Sequence, residues 1–410
     1  MYNNIDLFTQ ALCIENPWKI DKINFDKDAK QLDIYISHVR GAKFPCKACD
    51  DKYGIYDTTK ERTWRHLNFF QHKAFIHCSI PRIECEKHGV LQVKVPWSRP
   101  RSGFTLLFDA FVMELAACMT VNEIAQLVDE HDTRLQRIIN HYVDKARAQE
   151  DYSNVENIGI DETSSKKGHN YITLFVDLEE SKVLYVTEGK DSTTIDRFCL
   201  DYILHQGKTE SIKNICCDMS PAFIKGSKVN FPHAAITYDK FHVMKKINEA
   251  VDQVRRQERY KNDFLKKTRY IWLKNPENLT KKQKEKFAAL SNMNLKTLRA
   301  YNLKLALQEF WEINDVTTAA SYLQKWYLWG IRSRLEPMKE AAEFINRNWQ
   351  GIMQYITSKI NNGVLEGINS VIQTVKRKAR GFRNIKNFIT AIYLRCSKLE
   401  FDLPEALAHK

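Results

Sequence analysis

VENIGIDETSSKKGHNYITLFVDLEESKVLYVTEG, residues 155–189, decides how the larger part of this chain folds. Three runs within it, VENIGID, YITLFVDL and KVLYVTEG, are rich in β-branched and aromatic residues. The breaks between them hold Ser, Lys, Gly, Asn and Glu, which is turn chemistry, so each run reads as a strand. A helical span from Thr194 to His205 follows, then two more strand-like runs: IKNICCD, ending at Asp218, and AAITYD, ending at Asp239. In this reading Asp161 ends the first strand and Asp218 the fourth.

Upstream the texture differs. From about residue 30 to 97 the chain reads as short strands, QLDIYIS, KAFIHCSIPRIEC and VLQVKV, and bulky apolar residues look few. Pro96 and Pro100 mark a short linker, WSRPRSG. Residues 104–148 turn helical: Thr120 and Glu123 make a capping-box signature ahead of Ile124, Ala125 and Val128. After a polar break at Glu130–Asp132, a second helix carries Leu135, Ile138, Ile139, Tyr142 and Val143 on one face. Downstream, 240–357 reads as almost wholly helical, rich in Lys, Arg and aromatic residues. Asn361, Asn362 and Gly363 break the chain before a last amphipathic helix with Val364, Ile368, Val371, Ile372 and Val375 on its apolar face.

The chain has 410 residues, enough for two to four domains. Its formal charge of +13 and pI near 9.1 favour a polyanionic partner, nucleic acid or an anionic membrane. The first residues, MYNNIDLFTQ, lack the basic start and apolar run of a signal peptide. No stretch approaches the roughly 18–20 uninterrupted apolar residues of a spanning helix. No membrane association and a cytoplasmic location, associated with the nucleoid when on DNA, are therefore expected. Thiols stay reduced there, so the ten cysteines read as small hydrophobes or metal ligands.

Three constellations could carry chemistry. Cys46-x2-Cys49 and Cys85-x2-His88 each sit at a hairpin-like turn, the spacing of a four-ligand zinc ribbon. A segment with a small core would gain most from such a staple. Cys78 is a possible replacement ligand. In the second helix of 104–148, Thr133, Arg134, Arg137 and Asn140 lie away from or beside the apolar face, where they could reach base edges and phosphates. Any amphipathic helix has a polar face, so position between a zinc ribbon and a catalytic domain gives this reading its weight. Third come the carboxylates. Asp161 and Asp218, on neighbouring strands about 4.8 Å apart, together with Glu366 at the start of the last helix, could hold two Mg²⁺ ions for phosphoryl transfer. Three strands, helix, strand, helix, strand is the order of a ribonuclease-H-like core.

These pieces together resemble the zinc-finger-bearing DDE transposases of the ISL-three insertion-sequence family. The resemblance is carried by GIDETSSKKGHNYITLFVDL (159–178), CCDMSPAFIKG (216–226), ITYDKFHVMKKINEAVDQVRR (236–256) and NNGVLEGINSVIQTVKRKARGFRNIKNF (361–388), and it covers nearly the whole chain. It implies that Asp161, Asp218 and Glu366 are the catalytic triad holding Mg²⁺ or Mn²⁺, with a helical insertion between the second Asp and the Glu. Similar proteins often carry Cys where this chain has His88.

Other residues in these motifs read less sharply. Glu162 should point to the opposite face of the strand from Asp161. Asp239 and His242 are open between an active-site role and a helix cap with a satisfied histidine. Lys376, Arg377, Lys378, Arg380, Arg383 and Lys386 would track a DNA backbone. Trp311, Trp326, Trp329 and Trp349 could stack on unpaired bases, although Tyr322, Trp326 and Trp329 share the helical spacing of a core.

The expected fold is multidomain α+β: a zinc ribbon (1–97), a helix-turn-helix (98–150), and a ribonuclease-H-like core (151–246 and 358–410) interrupted by a helical insertion (247–357). The expected partner is double-stranded DNA, at transposon ends and target, bound by at least a homodimer. The rival reading is an inert DNA-binding regulator derived from a transposase. All three acidic positions being retained speaks against it, and the two sequence-reading modules speak against a repair or RNA-processing nuclease.

Overall fold

The computed structural model describes residues 4–166, 168, 170–360 and 363–404. Its contacts divide the chain into two compact units, Met1–Ala146 with Glu400–Lys410, and Arg147–Leu399.

The first unit opens with the helix Asn4–Ala11. A sheet follows in the order Trp18–Asp26, Gln31–His38, His72–Cys85, Lys52–Phe69, Lys43–Pro45, with Gly89–Gln92 paired to His72–Cys85. The strands are not all short. Lys52–Phe69 has 18 residues and His72–Cys85 has 14. Neither Lys52–Phe69 nor Trp18–Asp26 was evident in the sequence, because both are exposed or half-buried and rich in polar residues over most of their length. The core is also larger than expected. Trp97 meets Trp18 and Trp64 edge-on, with Ile34, Ile76 and Ile80 buried around them.

Helices Leu106–Ala116, Val121–Val128 and Asp132–Arg147 complete the unit. Thr120 and Glu123 form the capping box: the Glu123 carboxylate accepts from the Thr120 amide at 2.7 Å, and Thr120 Oγ1 accepts from the Glu123 amide at 3.3 Å. Leu135, Ile138, Ile139, Tyr142 and Val143 are buried as their spacing predicts. Fully buried Asp109 accepts from Arg99 and Tyr142, fixing the first helix against the third.

The second unit is built on a five-stranded sheet in the order Ala235–Tyr238, Asn214–Cys217, Asn157–Ser164, Tyr171–Asp177, Lys182–Glu188. The first three strands run parallel and the last two antiparallel. Helices Thr193–Leu204 and Pro221–Asn230 cover the face bearing Ile158, Ile160 and Phe175, where Phe198 stacks on Phe175 at 4.2 Å.

Helix Gly363–Lys378 meets the opposite face of the Asn157–Ser164 strand. A Cβ at Gly159 would come within 2.7 Å of Leu365 Cδ1, so any larger residue there must displace the Leu365 and Leu178 side chains. The buried residues of the helix are Leu365, Ile368 and Ile372, while Val371 is 43% exposed. The predicted apolar stripe was thus turned slightly away from the true one, since a wheel cannot show which residue meets a glycine gap.

Residues 240–358 form seven α-helices, from Lys240–Arg259 to Trp349–Ser358. Trp272, Trp311 and Trp326 lie in their common core, and the Trp326 indole donates to the Leu303 carbonyl at 2.7 Å. Trp329 shares the helical spacing of Tyr322 and Trp326 but is 46% exposed, and so departs from the predicted core. Lys304 is buried, and its ammonium donates to the Trp272, Leu273 and Lys274 carbonyls, closing helix Arg269–Leu273. Replacement by Met leaves these carbonyls short of donors and should cost about 1–3 kcal/mol in urea unfolding. An unchanged or raised midpoint would mean that burying the ammonium cancels its hydrogen bonds. Among the described residues, no helix is long and apolar enough to cross a membrane.

Candidate active site and metal centre

In the parallel pair of strands Asn157–Ser164 and Asn214–Cys217, Cys216 is aligned with Gly159. Continuing that register by two residues brings Asp218 abreast of Asp161, about one strand spacing of 4.8 Å away. Across the next pair Cys217 is aligned with Tyr238, and the Asp239 amide donates to the Cys217 carbonyl at 3.1 Å. Asp239 therefore stands abreast of Asp218, and the three aspartates form a row across adjacent parallel strands. Asp161 does not end its strand, which pairs with Tyr171–Asp177 as far as Ser164. The polar run after it (ETSS) hid this, because a hairpin partner rather than apolar character sustains the pairing.

Strand alternation sends Gly159, Asp161 and Thr163 to one face and Ile158, Ile160 and Glu162 to the other. Helix Gly363–Lys378 follows the first face in the strand's own direction. Asn369 Nδ2 donates to Asp161 Oδ2 at 2.6 Å, Gln373 Nε2 to Thr163 Oγ1 at 2.8 Å, and Lys376 Nζ to the Ser164 carbonyl at 2.7 Å. Glu366 is exposed in the first turn of this helix, one turn before Asn369. Asn369 had drawn no role from the sequence. Its spacing of three from Glu366 was the available signal, since residues one turn apart share a helix face.

The other Asp161 oxygen accepts from the Glu162 amide at 2.8 Å. Burial pushes the Asp161 carboxyl upward, opposed by the Glu162 amide, the His242 charge and the Asn369 amide, while Asp218 adds to the rise. Glu162 is also raised, first by burial.

Asp239 takes the second reading of its motif, a helix cap with a satisfied histidine. It caps helix Lys240–Arg259 by accepting from the Phe241 amide at 3.0 Å, and its second oxygen meets His242 Nδ1 at 2.9 Å. That hydrogen bond lifts His242 above its ordinary value against the effect of burial, aided by the charges of Asp239, Asp161 and Asp218. Stability from the pair is full below about pH 6.5 and is lost as pH rises through the folded value. In EDTA-treated protein, the His242 imidazole should titrate above about 6.5 by NMR. Asp239→Asn should lower it, and an unmoved midpoint would remove Asp239 as the cause.

The zinc ligands come together as spaced. Cys46 and Cys49 sit on the turn after Lys43–Pro45, Cys85 ends His72–Cys85, and His88 precedes Gly89–Gln92. Their ligand atoms lie within 4.8 Å of one another, with Cys49 Sγ to Cys85 Sγ at 3.7 Å and Cys46 Sγ to His88 Nδ1 at 3.6 Å. A zinc tetrahedron with Zn–S bonds of about 2.3 Å has edges of about 3.8 Å, so this donor set suits structural zinc. Burial pushes the Cys85 thiol up, but donation from Tyr53 and the backbone amides of Lys87 and His88 outweighs it and brings the thiol down to about 6. Cys78 is buried outside this cluster, its thiol pushed up to about 12 by burial.

On the helix Asp132–Arg147, Thr133 and Arg137 are exposed. Arg134 is bound to Glu130 and lies 4.3 Å over the Phe104 ring, and Asn140 accepts from Gln136 at 2.9 Å.

A helix-turn-helix, a Cys3His cluster and a row of carboxylates on a mixed sheet define a DNA-binding transposase. Residues 158–392 match the transposase model of the ISL3 family, 93–143 its helix-turn-helix domain, and 42–88 the zinc-finger of transposase IS204/IS1001/IS1096/IS1165. The chain belongs to the ISL3 family of transposases. It is 27% identical to the transposase for insertion sequence element IS1557 of Mycobacterium tuberculosis, over 98% of this chain and 97% of the relative. It is 25% identical to the transposase for insertion sequence element IS1001 of Bordetella parapertussis, over 91% and 94% respectively.

Proposed function

We propose that Asp161, Asp218 and Glu366 form the catalytic carboxylate set of this transposase, holding Mg²⁺ or Mn²⁺ for cleavage of transposon ends and strand transfer. The observation that carries this is the Asn369–Asp161 hydrogen bond. It ties the turn after Glu366 to the strand whose register sets Asp161 beside Asp218. The donor chemistry suits a hard cation. Each Asp161 oxygen accepts one hydrogen bond, leaving lone pairs on both, and the neighbouring Asn369 Oδ1 is buried without a partner among the described residues. When bound, such cations supply Lewis acidity to phosphate oxygens and to the attacking hydroxyl.

The chain's own groups do the rest. Asn369 and the Glu162 amide fix the Asp161 carboxylate, and Asp239 holds the His242 imidazole beside the aspartate row. The polar face of helix Asp132–Arg147, led by Thr133 and Arg137, reads the terminal repeats. The tail carrying Lys376, Arg377, Arg380 and Arg383 binds backbone phosphate. In this reading the strand order is that of a ribonuclease-H-like core, and the helical residues 247–357 are its insertion. Joining two ends requires at least a dimer.

Incubation with the DNA flanking its own gene, followed by mapping of nicks, tests this. Mg²⁺-dependent nicks at the element's ends are expected. Specific binding with no nicks in Mg²⁺ or Mn²⁺ would favour the inert regulator.

A further inference from the structure

Past Asp161, the Asn157–Ser164 strand and the Gly363–Lys378 helix continue side by side and open into a cleft of about 700 Å³. Ser165 and Lys166 form one wall, and the helix tail with the loop to Arg383 forms the other. Its lining includes Lys166, Lys376, Arg377, Arg380 and Arg383 and no acidic residue. Among the described residues, none of these five takes part in an ion pair. Five like charges gathered without a counter-charge repel one another, so the fold holds them for a polyanion.

The walls are tied together from both sides. Lys166 Nζ donates to the Arg383 carbonyl at 2.9 Å, and Lys376 Nζ donates to the Ser164 carbonyl at 2.7 Å. Arg380 and Gly381 both take positive φ, 54° and 91°, which turns the loop sharply. The turn brings Phe382 onto Phe388, with ring centroids 5.0 Å apart, while Phe382 still lines the cleft. Packing on Phe388 accounts for one side of the ring. A phenyl ring lining the cleft does nothing for a phosphate, but it can stack on a base.

Position sets which part of the DNA arrives there. Four residue steps lead from Asp161 to Ser165, about 13 Å at ~3.3 Å per residue. A DNA strand advances ~3.4 Å per nucleotide along the duplex axis.

We propose that this cleft holds a nucleotide unstacked from its duplex, about two to four steps from the scissile phosphate. Arg380 and Arg383 take the phosphates, and the base lies on Phe382. This rests on the transposase reading and says what part of the substrate the basic tail receives.

The test uses the full chain and end DNA carrying 2-aminopurine at successive positions around the mapped cleavage site, with Ca²⁺ replacing Mg²⁺. 2-Aminopurine brightens when it leaves the stack. Brightening at one or two adjacent positions is expected, lost in Phe382→Ala and in Phe382→Leu, and kept in Phe382→Tyr. The Leu variant keeps an apolar contact to Phe388, so it separates stacking from packing. Phe382→Ala should also weaken end binding about tenfold. If DNA is bound and cleaved but no position brightens, or if Phe382→Leu matches the native signal, the cleft binds backbone alone and the proposal falls. If the native chain neither bound nor cut end DNA, the transposase mechanism itself would fall with it.

Discussion

Asp218→Asn should lose end cleavage by at least about a thousandfold while binding to end DNA stays within about twofold. The size follows from the chemistry: charge stabilisation by a correctly held cation contributes several kcal/mol, and each 1.36 kcal/mol is a factor of ten in rate. An amide keeps the shape and one acceptor oxygen. It can therefore still accept from the Ser220 amide, which meets the Asp218 carboxylate at 2.9 Å, so the turn leading into helix Pro221–Asn230 should survive. In the proposed reading, binding depends on the helix-turn-helix and the basic tail, which this change does not touch. Gel-shift and nick mapping on the same preparation read both quantities. Cleavage at near-native rate would remove Asp218 from the set, and joint loss of binding and cleavage would mean that the substitution had damaged the fold.

Loss of zinc is the second large effect. The Cys46→Ser, Cys49→Ser pair removes two of four ligands, and purified protein should fall from about one zinc per chain to none. Zinc-finger peptides bind their metal with about 10–16 kcal/mol near neutral pH, comparable to the whole stability of a domain. Here the surrounding sheet has its own core of Trp18, Trp64 and Trp97. The expected damage is therefore local: the Lys43–Pro45 turn and the Gly89–Gln92 strand loosen and become protease-sensitive, and end binding falls. Ligation needs thiolate, and bound zinc keeps its cysteines deprotonated below their metal-free values. Strong acidification should therefore release zinc, which a colorimetric chelator reads directly. Full zinc retention in the double variant would contradict the ligand assignment.

Much of this was legible from local pattern. The Cys-x2-Cys and Cys-x2-His pairs could be read because each spacing lies within one turn and its geometry is set by neighbouring residues. Thr120 and Glu123 announced their helix for the same reason. The Tyr171–Asp177 and Lys182–Glu188 strands stood out because burial on both faces makes them nearly continuous apolar runs. Lys52–Phe69 did not, since a half-exposed strand carries charges on its open face.

By itself, then, the sequence determined what closes within a turn or an element: the paired metal ligands, the capping box, the main strands of the second unit, and the candidate carboxylates with the chemistry they offer. Tertiary structure alone decided which partner each carboxylate meets. Parallel register aligns Asp161, Asp218 and Asp239, and a close approach at Gly159 lets Asn369 reach Asp161. The reason is physical. Strand register and helix docking depend on long-range pairing and on shape between residues far apart in the chain, and no local periodicity encodes which far residue will fill a given gap.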